Sequence, residues 1–333
     1  MRVTSRTNEH GAVAVFVAIC AVLLFAGAAY AVDAGHLWTT RRHIVEGADA
    51  ASLAAAGTLA SGGTTTDACD DVAPDYVESN VEGAVVVECD VTGAGTDSGR
   101  VTVQARTSFE YTFAAILGND DRDVSAITTS EWGIPTGVIG LRPFGLCLHA
   151  MPELEEWLNL PTGPTGPSDE ITIFYNKAQP DACGTNVPGN WAVLDFDGGN
   201  NSNSDTQEWT LTGYPDEVLL PSDVPGTPGS FSNALQSELQ YLENSGGYFA
   251  LPIFDTAAGN GASSTFHVIA AVYVRLVDFR ANGAENNRYM TLVFDRGVLE
   301  GRCCGGTLDT GVRVVRICDV DTLAPDTSDS RAC

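Results

Sequence analysis

The chain has 333 residues, 17 basic and 43 acidic side chains and a net charge of −26, with Lys177 its single lysine. Acidity on this scale favours solubility and repels phosphate backbones, which argues against nucleic acid as a partner. The length accommodates a membrane span plus one or two domains.

The first element is the strongest. Residues 12–32, AVAVFVAICAVLLFAGAAYAV, form an uncharged run of 21 residues after a short basic stub. As a helix it is about 31 Å long at ~1.5 Å per residue, which matches a hydrocarbon core of roughly 30 Å. Three fates fit such a run: a cleaved secretory signal, a retained anchor, or a pilin-like helix trimmed by a dedicated peptidase. Ala29-Tyr30-Ala31 offers a small-x-small cleavage site, but the run is longer than a signal core. The stretch after the run favours the anchor. Asp33 to Ala60 continues without proline, with Leu37, Ile44, Ala48, Ala51, Ala55 and Leu59 at helical spacing, and Ser61-Gly62-Gly63 stops it. The second half projects about 40 Å past the bilayer at ~1.5 Å per residue. Its small-residue face (Gly47, Ala48, Ala51, Ala55) suits close approach by another helix or packing on the chain's own soluble part. Arg2 and Arg6 before the run and Arg41 and Arg42 after it nearly balance, so flanking charge leaves orientation open.

Nine cysteines are present. Cys20 lies in the span as an isolated apolar thiol. The other eight come after it, an even number that suits disulfides in an oxidising compartment, and none shows the close Cys-x-x-Cys spacing of a metal site. Their placement breaks the tie: N-terminus inside, bulk of the chain outside. Cys69 with Cys89 and Cys147 with Cys183 are the simplest pairs, and Cys303, Cys304, Cys318 and Cys333 pair among themselves.

Beyond the Gly/Thr-rich break at 61–66, strand-like runs occur at Ala84–Cys89, Arg100–Ala105 and Val124–Trp132, while Phe109–Phe113 either extends the second or opens a short helix toward Leu117. Residues 133–143 read as a Gly/Pro-punctuated link. Further strands fall at Ile171–Tyr175, Trp191–Phe196, Tyr248–Phe254, Thr265–Phe279 and Met290–Phe294, with polar loops at 159–169 and 197–206. Ser232–Glu243 reads as a helix capped by Ser232. The expected fold is α+β: a long N-terminal helix, membrane-spanning and then projecting, packed on a small antiparallel sheet and followed by a β-rich, disulfide-braced domain. The expected divisions are residues 1–60, 61–133, 134–322 and a flexible tail, 323–333.

The N-terminal strings form an ordered series: Glu9-His10-Gly11-Ala12-Val13-Ala14-Val15, then Ala31-Val32-Asp33-Ala34-Gly35-His36-Leu37, then Arg41-Arg42, then Ala48-Asp49-Ala50-Ala51-Ser52-Leu53-Ala54-Ala55-Ala56. This series resembles the N-terminal region of TadE/TadG-like proteins of the Flp (tight adherence) pilus machinery. More loosely, Pro143-Phe144-Gly145-Leu146-Cys147, the run from Gly189 to Gly199 and Pro252-Ile253-Phe254-Asp255 look like larger TadG-related proteins of actinobacterial type. The resemblance implies a single-span, extracytoplasmic accessory or minor pilin-like component with no known catalysis, whose partners are the membrane and other pilus-assembly or pilin-like proteins. One position departs: members cut by the prepilin peptidase carry Glu five residues after the Gly, where this chain has Phe16, so an uncut anchor is expected.

Candidate chemistry is sparse, and no catalytic, cofactor-binding or metal residue is assigned. Asp195–Asp205 has the alternating oxygens of a calcium loop, but Asn200 and Thr206 stand where an EF-hand needs Gly and Glu, so it reads as a polar turn. His149 and His267 lie in no nucleophile or zinc motif, and His267 alternates with Phe266 and Val268 on a strand. Glu153, Glu155 and Glu156 beside Trp157 are either a carboxylate pair or a solvated helix face. The competing class is a secreted or surface-tethered binding module or hydrolase with a cleaved signal, and no small-molecule substrate is evident.

Overall fold

The computed structural model describes residues 10–118, 120–159, 166–175, 183–184, 191–199, 203–227, 233–259, 264–284 and 287–318. Helix α1 (His10–Ala60) runs unbroken for 51 residues. Its first half is uncovered, with Val13, Phe16, Leu24 and Phe25 all exposed, whereas Ile44, Ala48, Ala51, Ala55 and Leu59 are buried. These five lie three or four residues apart, so one narrow stripe faces the core.

Behind the Gly62-Gly63 stop the chain turns back through a π-helical turn, Asp67–Val72, into α2 (Ala73–Asn80). No sequence pattern marks this helix. Pro74 sits in its first turn, where a missing N–H costs nothing, and Ala68, Ala73 and Val77 supply the buried side. At Gly47 an added Cβ would lie 3.4 Å from Val81 Cγ2, so α1 and the end of α2 meet closely. Of the two uses expected of the small-residue face, packing on the chain's own folded part is the one seen here.

Strands β1 (Val85–Thr92), β2 (Gly99–Glu110) and β3 (Asp121–Gly133) form an antiparallel meander. In β2, Val101, Val103, Ala105, Thr107 and Phe109 alternate inward onto α1 and the even residues face out. Cys69–Cys89 ties the π-helical turn to β1. The β2–β3 connection carries a single 3-10 turn, Ala114–Leu117, so the strand stops at Glu110.

The second region contains β4 (Gly137–Val138), β5 (Phe144–Cys147), α3 (Pro152–Leu158), β6 (Ile171–Phe174), β7 (Trp191–Val193), α4 (Asn203–Thr212), β8 (Val218–Leu219), β9 (Ser222–Pro225), α5 (Gln236–Ser245), β10 (Tyr248–Ala258), β11 (Thr265–Arg280) and β12 (Tyr289–Asp295). A seven-stranded sheet runs β6-β12-β11-β10-β5-β7, with β9 paired to β11, and only β10 and β5 are parallel. Leu154 and Trp157 of α3 and Leu239 and Leu242 of α5 cover one face, against Leu251, Val272, Leu292 and Phe294. Cys147–Cys183 braces β5. The strand expected over 191–196 ends at Val193. The expected helix begins as a 3-10 turn, Asn233–Leu235, before α5, and its proposed cap Ser232 lies outside the described residues. The loop expected over 197–206 gives way to α4 at 203, because Thr206, Trp209 and Thr210 have a core to pack into.

Three short strands come last among the described residues: β13 (Gly297–Leu299), β14 (Gly301–Arg302) and β15 (Val312–Ile317). β14 joins β4 and β8 in a small sheet. β15 returns to the meander, antiparallel to β3, with β13 parallel on its far side, giving the order β1-β2-β3-β15-β13. Arg313, 3% exposed, secures this return: its guanidinium meets Asp309 at 2.6 and 3.0 Å and Asp97 at 3.2 Å. Cys303 and Cys304 form a vicinal disulfide. Cys318 is also disulfide-bonded, and Cys333 and the proposed tail lie outside the described residues. The fold is α+β: a long apolar N-terminal helix followed by disulfide-braced sheets.

Candidate functional site

The residues with the most specific roles line the seam between α1 and the meander. Asp33 is the first residue after the apolar run and is 5% exposed. Its carboxylate accepts backbone N–H bonds from Thr112 at 3.0 Å, from Phe113 at 3.1 and 3.2 Å and from Ala114 at 2.8 Å. Those donors open the 3-10 turn of the hairpin tip, so a side chain on α1 caps a turn some eighty positions away. Burial pushes the carboxyl up, but the N–H groups of Ala114, Phe113 and Thr112, with His36, outweigh this and hold it below its ordinary value.

Sixteen residues further along α1, Asp49 accepts a hydrogen bond from the Thr128 hydroxyl of β3 at 2.7 Å. One turn on, Ser52 and Ser130 are fully buried with their hydroxyl oxygens 2.8 Å apart. Ala48, Ala51 and Ala55 between and beyond them let the helix lie flat against β2 and β3. Polar pairs inside an alanine face fix where along the sheet the helix sits, which apolar contact alone leaves loose. Arg42 pairs with Glu46 at 2.9 Å on the exposed side, a contact of the kind that adds little.

The other sequence candidates stay dispersed. Glu153 and Glu156 face solvent on α3, Glu155 meets His149 at 2.9 Å, and Leu154 and Trp157 take the inner face. This is the solvated-helix arrangement. His267 pairs with Asp223 of the neighbouring strand at 2.9 Å. In the 195–205 segment, Gly198 N–H donates to Asp195 at 3.1 Å and Gly199 N–H to Asp197 at 2.9 Å, the signature of side-chain-closed turns. Burial, a hydrogen bond to Asp197 and that group's charge push Asp195 up to about 6. Residues 200–202 of the segment lie outside the described residues. Glu131, Cys303 and Cys304 have ligand atoms close together, but both sulfurs are in the vicinal disulfide and offer no thiolate to a metal. Sequence reasoning missed the seam's polar pairs. The available signals were Asp33 at the end of an uncharged run and Asp49 and Ser52 inside an alanine stripe.

An apolar helix that continues as the spine of a sheet defines a class: a protein presenting a folded unit on the end of a helix long and apolar enough to cross a membrane. Residues 11–58 match the family model described as "Putative Flp pilus-assembly TadE/G-like", so nearly the whole of α1 is similar to a TadE/G-like domain. The matched stretch contains Asp33, Asp49, Ser52 and the alanine face. A Tad-like domain with this helix points to a membrane-anchored pilus-assembly component. Comparison with curated proteins and with solved structures gives no match.

Proposed function

We propose that this chain is a single-pass, non-catalytic structural or assembly component of a Flp/Tad-type pilus or a related envelope system. Its N-terminus is cytoplasmic, its sheets are extracytoplasmic, and its partners are other pilus-assembly or pilin-like proteins. The supporting observation is the division of α1: one continuous helix has an uncovered apolar half and a second half docked in the sheet by Asp33, Asp49 and Ser52. Cleavage near Ala31 would cut this helix just before its first clamp. The disulfides beyond the span, Cys69–Cys89 and Cys147–Cys183, favour the outward orientation. In this reading residues 61–133 and 134–322 are two units, and the first is completed by β13 and β15.

Membrane fractionation with N-terminal sequencing, combined with protease access to intact cells, tests it. The expected result is a membrane-bound chain retaining residues 12–32 and cut only from outside. A soluble species starting near Val32, or free thiols at Cys69 and Cys89, overturns the proposal. Co-purification from the envelope with a pilus-assembly protein tests the partner assignment, and capture with none of them counts against it.

A further inference from the structure

The β2–β3 tip carries the uncharged string Thr112 to Gly118, and Ile116 at its end is 82% exposed, with Phe113 exposed beside it. Asp33 fixes where the tip lies. A groove of about 660 Å³ runs between Ala26, Ala29 and Tyr30 of α1 and Phe113, Ala114 and Arg122 of the hairpin. Ala26 is seven residues before Asp33, about 10 Å down the axis at ~1.5 Å per residue. The tip therefore flanks the last two turns of the apolar run.

The length of the run decides what surrounds it there. Residues 12–32 supply about 31 Å at ~1.5 Å per residue, just the thickness of a hydrocarbon core of roughly 30 Å. If the tip held residues 26–32 above the bilayer, residues 12–25 would leave only about 21 Å to cross it. We infer that the tip enters the outer leaflet of the bilayer that α1 spans, with Phe113 and Ile116 among the acyl chains and Arg122 at the headgroups. This rests on the anchored reading above. The depth matches the ~5–10 Å reached by interfacial helices. Asp120, Asp121 and Asp123 flank Arg122 in sequence and Glu110 pairs with Asp121 across the hairpin, so attraction to anionic lipid does not hold the tip, and neutral lipid suffices. With Asp33 as the link, the anchor has two contacts with the membrane, and the second prevents the sheet from swivelling on a single helix.

The full chain with C20S, in phosphatidylcholine vesicles, takes an environment-sensitive fluorophore at I116C, at L24C in the span or at Y241C, an exposed position on helix α5. Expected is several-fold stronger quenching by nitroxide lipid at 116 and 24 than at 241, and several-fold weaker quenching by iodide. Lipid contact at 24 with iodide access at 116 overturns the inference and leaves the anchor standing. No lipid contact at 24 overturns the anchor itself. A thiol-free control places a photo-crosslinking amino acid at 116. A lipid adduct supports the inference, and a second protein chain as the sole adduct overturns it.

Discussion

Ser52 and Ser130 allow a test of how α1 is held. Each is 0% exposed, their oxygens are 2.8 Å apart, and Ser52 Oγ is 3.1 Å from the carbonyl of Asp49. A hydroxyl has one proton to give. Ser52 gives its proton to Asp49, so Ser130 donates to Ser52. Ser52→Ala leaves the Ser130 hydroxyl buried with no acceptor, a cost of about 1–3 kcal/mol. Alanine's better helix propensity returns up to ~0.5 kcal/mol. Ser130→Ala loses one neutral bond, about 0.5–1.5 kcal/mol, and leaves Ser52 still paired to Asp49. The double variant leaves no buried donor, so the single costs overlap by about 0.5–1 kcal/mol. Denaturant unfolding of the full chain in detergent, disulfides intact, followed through buried Trp132, measures all four proteins. Ser130→Ala costing as much as Ser52→Ala, or strictly additive costs, would refute the assigned proton order.

Three further outcomes are expected. Asp195, raised to about 6, binds its proton more tightly folded than unfolded, so its contribution is greatest below about pH 4 and is lost as pH rises through about 6. Asp195→Asn keeps an acceptor for Gly198 and should flatten that slope, gaining about 1–3 kcal/mol at neutral pH; parallel melting-temperature profiles from acid to neutral would contradict this. Arg313→Met leaves the carboxylates of Asp309 and Asp97 facing each other without their shared guanidinium, at a cost of about 3–5 kcal/mol that Asp309→Asn in the same chain should partly restore, read as unfolding midpoints. Replacing Cys69 and Cys89 by Ala opens a crosslink of sequence separation 20 and should cost about 3 kcal/mol, with faster hydrogen exchange in α2; unchanged exchange there would show that the crosslink does not hold that helix.

What the sequence revealed depended on whether the information was local. α1 was legible from its uncharged run, its proline-free continuation and the Gly62-Gly63 stop. β2 and β11 were legible from alternation. Residues 73–80 received no assignment because Pro74 and the acidic residues around it show no clear helical pattern, whereas the burial of Ala73 and Val77 that stabilises α2 comes from α1. α4 escaped because Asn, Ser and Asp at 200–205 look like a turn, and what makes a helix there is a cavity that Trp209 fills. The alanine face was read correctly as an interface, but its partner was open, because small residues permit close approach without specifying what approaches. The clamp on Asp33 joins positions 33 and 112–114, and the hydrogen bonds come from backbone groups with no residue signature. Similarly, nothing in Val312–Ile317 says that it pairs with β3 rather than extending the second sheet.

That last pairing bears on the order of synthesis. A ribosome delivers β3 well before β15, and Ile317 must find Ser130 across everything made between them. Until then β3 presents the open N–H and C=O groups of residues 130–133, a template for any stray strand. A chain cut short before 312 keeps that edge open for good. It should stick to its neighbours, while a chain that has reached β15 closes its own edge, so the sheet that holds the helix records whether synthesis has passed residue 317.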